Sequence, residues 1–121
     1  MSTNEVPRAP RLGIDPARIA HLGLDFTTSE CCIVQKGQPS VAKLVSITNV
    51  SVGGIKIAIA EATSTPQMND SLVLKVVGRE RSWNIKGRIA WVQGISGEQW
   101  WIGIEFAFTA DATTFYKALT E

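Results

Sequence analysis

The residues best equipped for chemistry lie in Ile47-Thr48-Asn49-Val50-Ser51-Val52-Gly53-Gly54-Ile55, where an amide, a hydroxyl and two glycines interrupt apolar runs. Asn49 and Ser51 stand two apart, so on extended chain they face one side and offer donors and acceptors together. Glycine adds a backbone that a ligand can approach closely. The same residue types also make an ordinary bend, with Asn49 in an Asx-turn, Ser51 holding a backbone amide and the glycines turning the chain. Nothing comparable points to catalysis. There is no Gly-x-Ser-x-Gly elbow, no Gly-x4-Gly-Lys-Ser phosphate loop and no pair of carboxylates with separable environments. The expectation is a binding protein, not an enzyme.

Cations are the second resource. Twelve Lys and Arg stand against eleven Asp and Glu, a formal net charge of +1, too even a balance for a DNA- or RNA-binding surface. An anionic ligand must therefore be small and held by a few residues. Arg8 and Arg11 sit among Pro7, Pro10 and Pro16, a composition that favours an extended arm and gives these guanidiniums reach. The one histidine, His21, has nothing at ligand spacing around it, so no metal is expected. Cys31 and Cys32 are adjacent; strand neighbours point to opposite faces, so both are expected to be reduced thiols. No apolar run approaches the ~20 residues of a membrane span, and no basic-then-apolar leader is visible, which predicts a cytoplasmic protein without membrane insertion.

The elements that must position these groups follow from periodicity. Residues 1–29 read as a flexible arm with one short helix, capped by Asp15, started by Pro16 and stopped by Gly23. Residues 30–121 read as one domain. The period is two in 31–36, 41–48, 55–59, the run holding Leu72, Leu74 and Val76, 83–92 and 99–108. Turns are expected at Gly37–Ser40, Val77–Arg81 and Gly94–Gly97. Trp83, Ile85, Ile89 and Trp91 are assigned to one inward face, and Trp101 is expected to point outward. Lys56, Lys86 and Arg88 are assigned to a solvated outer face. Six half-apolar strands in so short a chain hide their apolar face most economically by closing on themselves. The predicted class is thus all-β, a six-stranded antiparallel barrel. Phe115, Ala118 and Leu119 on one helical stripe supply a short C-terminal helix as its cap.

With the strands in place, Asn49-x-Ser51-x-x-Gly54 resembles the Asp/Asn-x-Ser-x-x-Gly motif of PilZ domains, the bacterial receptors for cyclic di-GMP. Gly87-Arg88-Ile89-Ala90-Trp91-Val92 looks like that family's Gly-x-Val-x-Trp strand, and Ile102-Gly103-Ile104-Glu105-Phe106 is similar to its closing Gly-hydrophobic-x-Phe strand. The resemblance implies a PilZ-type barrel in which Asn49 and Ser51 bond a guanine edge or phosphate on the outer surface and Gly54 leaves room. It also implies an Arg-x-x-x-Arg pair ahead of the first strand, because guanidinium forks match phosphate oxygens. Here the spacing differs: Arg8 and Arg11 are three apart, and Arg18 is followed four later by Leu22. The expectation is that the arm folds Arg8 and Arg11 over the bound dinucleotide, and that an unidentified protein partner reads the altered surface. Two other uses of the barrel compete: an adaptor of the same fold that binds no cyclic di-GMP and contacts protein through Trp101 or the tail helix, and an oligonucleotide-binding barrel, which the neutral charge disfavours.

Overall fold

The computed structural model describes residues 12–35, 37–107 and 109–120. The short leading helix α1, Pro16–Leu22, forms where its caps demand it. Asp15 Oδ1 accepts from the Ala17 N–H, Pro16 opens the helix, and Gly23 ends it at φ +63° in the left-handed region. Ahead of α1 lies a two-residue strand, β1 (Leu12–Gly13).

Six longer strands follow: β2 (Glu30–Gln35), β3 (Gln38–Ser51), β4 (Gly54–Ala60), β5 (Ser71–Val77), β6 (Ser82–Ser96) and β7 (Gln99–Phe106). All pairings are antiparallel, in the order β3-β2-β5-β6-β7-β4, and β4 pairs back onto β3, so the sheet closes into a barrel. Closure is possible because β3 and β6 are long and each serves two neighbours along its length. Residues 38–43 of β3 pair with β2, and residues 43–51 pair with β4. Inside, Ile33, Leu44, Ile57, Ile59, Leu74, Ile85, Ile89 and Ile102 are almost wholly buried and form one core. Helix α2 (Ala110–Thr120) starts where the Thr109 hydroxyl accepts from the Ala112 N–H and buries Ala112, Phe115 and Leu119. Phe115 meets Trp83 with ring centroids 5.1 Å apart, an aromatic pair that ties the helix to β6.

Four details depart from the periodicity. Gln38, Pro39 and Ser40 belong to β3, not to a turn: Gln35 pairs directly with Gln38, and Gly37, at φ +81°, makes the bend. Likewise β6 runs on to Ser96, and the turn is Gly97–Glu98, with Gly97 at φ +55°. Third, β3 carries bulges at Val45 and Thr48, which place Leu44, Ile47 and Val50 all inward at a spacing of three. Fourth, a bulge at Ala90 turns Trp91 outward, because Ile89 opposes Ile104 whereas Trp91 opposes Gly103. The inward assignment of Trp91 is thereby corrected. Of the arm expected over residues 1–29, residues 1–11 lie outside the described residues, as does Phe108 at the end of the run expected over 99–108.

Candidate functional site

Asn49 and Ser51 end β3, and Gly54 begins β4 across the two-residue turn Val52–Gly53, with Ser51 opposite Gly54. Val50 between them is buried, so both side chains face outward, each partly covered. The Ser51 hydroxyl donates to the Gly54 carbonyl at 3.5 Å, a long and weak bond that leaves it free to take another partner. The Asn49 amide oxygen is covered, yet no donor meets it among the described residues. A buried acceptor left unpaired costs about 1–3 kcal/mol, which a donor arriving from outside would recover.

Gly54 has a packing reason beside the one expected of it. Neither Gly53 nor Gly54 takes a left-handed φ. A Cβ at Gly54 would run into the Ile104 carbonyl oxygen, so its smallness lets β4 approach β7; a Cβ at Gly53 would meet nothing within 4 Å.

The neighbouring strands add groups that the motif alone does not reveal. Asn49 opposes Lys56, Lys56 opposes Gly103, and Gly103 opposes Trp91, so one outward row crosses β3, β4, β7 and β6. Gly103 makes room for the Trp91 indole: a Cβ there would lie 2.6 Å from Trp91 Cδ1. Lys56 Nζ sits 4.9 Å from the Trp101 ring centroid and 5.7 Å from that of Trp91, held between two indole faces. Trp101 does point outward, but partly buried beneath this ammonium. The next row runs Ser51, Gly54, Glu105, Arg88. Arg88 Nε and Nη2 both donate to Glu105 Oε1 at 2.9 Å, across a pair whose members are each more than half exposed; such a pair adds little stability but occupies the guanidinium.

Strand β1 lies along the edge of β3 beside this face, Leu12 opposite Val50 and Gly13 opposite Asn49. The chain thus enters the described region next to the candidate segment. Arg8 and Arg11 themselves lie outside the described residues. Arg18 is on α1, partly exposed.

Other features fit a structural use better. A cavity of about 590 Å³ lined by Gln35, Ser40, Ser64 and Asp70 is polar, but these groups answer one another: Gln35 Nε2 donates to Asp70 Oδ2 at 2.9 Å, and Ser64 donates to Gln35 Oε1 at 2.6 Å. Cys31 and Cys32 are free thiols; Cys31 is fully buried, and burial, helped by its neighbour Cys32, pushes its thiol up to about 12. Among the described residues no group of three or more His, Cys, Asp or Glu could hold a metal ion, and no helix is long and apolar enough to cross a membrane.

Sequence reasoning found the outward amide and hydroxyl but missed Lys56, which it left as plain solvated charge, and Trp91, which it placed in the core. Only the register across four strands brings them to Asn49. No family model matches the chain, and no curated protein matches it.

Proposed function

We propose that this barrel is a PilZ-type module that binds cyclic di-GMP on the outer face formed by the end of β3 with β4, β7 and β6. The observation that carries the reading is the outward row Asn49, Lys56, Gly103, Trp91: an acceptor with no donor among the described residues, a cation and an aromatic face, in one line across paired strands. A guanine edge carries N–H donors for Asn49 Oδ1, a cyclic dinucleotide carries two phosphates for Lys56, and a purine ring stacks on an indole. Ser51 adds a hydroxyl in the adjacent row. Because β1 runs beside Asn49, Arg8 and Arg11 precede the site by only a few residues, within an extended chain's reach at roughly 3 Å per residue. Binding gathers the arm over the ligand, and the altered surface is what a cytoplasmic protein partner reads.

Calorimetric titration with cyclic di-GMP tests this. Saturable heat is expected, weakened roughly tenfold or more by Arg8→Ala combined with Arg11→Ala, since each lost charge-assisted bond removes about 1.5–3 kcal/mol, and roughly two- to tenfold by Asn49→Ala, which loses a neutral bond of about 0.5–1.5 kcal/mol. No heat at high micromolar ligand would transfer the function to protein contact alone.

A further inference from the structure

Among the described residues, β6 holds a long stretch with a ladder partner on one side only. On its β5 side, pairing follows Ser82 to Arg88, and Ile89 is the last residue served there: its N–H donates to the Asp70 carbonyl, and its carbonyl accepts from Asn69. From Ala90 to Ser96 the strand pairs only with β7, so among the described residues that flank has no ladder partner. Alternation identifies the groups it presents. Ile89 turns its main-chain groups toward β5, so its neighbour Ile104 turns away from β6, and Gly103 and Trp101 turn toward it. Their partners Trp91 and Gln93 are thereby engaged, while Val92 and Gly94 point N–H and C=O outward. The stretch between the bulges at Ala90 and Ile95 is regular in register. Proteins protect such an edge with lysine, proline, inward charge or bulges; residues 89–97, Ile-Ala-Trp-Val-Gln-Gly-Ile-Ser-Gly, hold no charge and no proline, and the bulges confine the regular open edge to residues 91–94.

We propose that this edge pairs with the same edge of a second copy, antiparallel and about a two-fold axis. Val92 then meets Gly94 of the second copy and Gly94 meets its Val92. This register satisfies all four outward groups of each chain, giving four main-chain hydrogen bonds. Gln93 faces Gln93 across the axis, and Ile95, 43% exposed, comes beside the partly covered Trp91. The occupant is another copy because the segment carries no charge to repel its own like and is complementary to itself in that single register. An interface of one short strand pair is small, so association belongs in the high micromolar range.

Sedimentation velocity from 10 µM to 1 mM tests the pairing. Wild-type protein is expected to shift toward dimer over that range, with the Val92 and Gly94 amides gaining hydrogen-exchange protection as concentration rises. Gln93 is exposed, so Gln93→Glu and Gln93→Lys leave the fold intact while setting like charges face to face; each is expected to weaken the dimer at least threefold, and an equimolar mixture of the two to restore it. A wild-type chain that stays monomeric at 1 mM overturns the proposal. So does a dimer indifferent to both substitutions, or a mixture no more associated than its components. Cyclic di-GMP is absent from all samples, so the outcome is independent of the ligand reading.

Discussion

Substituting Gly54 separates two reasons for a glycine in the Asn-x-Ser-x-x-Gly segment, room for a ligand or room for a strand. A Cβ at Gly54 would press on the Ile104 carbonyl oxygen, with the carbonyl carbon 3.5 Å away. Restoring ordinary contact needs β4 and β7 to part by roughly 1 Å, given optimal heavy-atom separations of about 3.5–4.0 Å. Because the obstacle is backbone, it cannot rotate aside, and overpacking of this kind costs typically about 1–3 kcal/mol. At about 3–5 °C per kcal/mol for a domain of this size, Gly54→Ala lowers the melting temperature by roughly 3–15 °C. Gly53→Ala is the control: its Cβ meets open space and its φ is not left-handed, so stability stays within about 0.5 kcal/mol. Urea unfolding followed by circular dichroism measures both. If the two variants unfold alike, strand approach is not what Gly54 provides. A Gly54→Ala protein of undiminished stability that loses ligand affinity would return this glycine to the ligand.

Three further outcomes follow from the same geometry. Gly103→Ala drives the Trp91 indole off the sheet, with a cost of about 1–3 kcal/mol and a red-shifted tryptophan emission; unchanged emission would refute the packing of Trp91 on Gly103. A thiol reagent at pH 8 titrates one equivalent, Cys32, in native protein and two in urea, because Cys31 is both buried and held protonated; two fast equivalents in native protein would show that β2 is open. The Asp25 carboxyl is held below its ordinary value mainly by the Thr27 hydroxyl, then by the Thr27 N–H. Its folded pKa is depressed, so its contribution is full above the unfolded value near 4 and is lost as pH falls through the folded one. Asp25→Asn therefore flattens the acid limb of the stability profile, which unfolding at pH 2–6 measures.

Local chemistry made much of this legible from sequence. Asp15, Pro16 and Gly23 bracket α1 because caps act within a turn, and the strict alternation from Trp83 to Ile89 follows from one face being buried. The turns slipped where a turn-forming residue stood inside a strand. Pro39 is tolerated in β3, and β6 runs past Gly94 to pair Ser96 with Gln99. Trp91 was misplaced for a deeper reason. The extra residues Ala90 and Thr48 are absorbed by bulges that closure of the barrel imposes, and nothing in the run Ile89-Ala90-Trp91-Val92 marks which residue is extra. The site divides in the same way. Asn49 and Ser51 were visible as an outward pair, whereas Lys56 and Trp91 join them only through pairings of residues far apart in sequence.

The bulges in β3 also bear on how such a chain can drift. The side that Asn49 and Ser51 occupy is dictated by Lys56 and Gly54 opposite them, not by counting from β2. A residue deleted at Val45 or Thr48 would straighten the wall locally while the amide and hydroxyl kept their places. The upstream length is thus elastic, and a pattern that demands fixed spacing between a cationic leader and the Asn-x-Ser pair would pass over chains in which the outward amide and hydroxyl are unchanged.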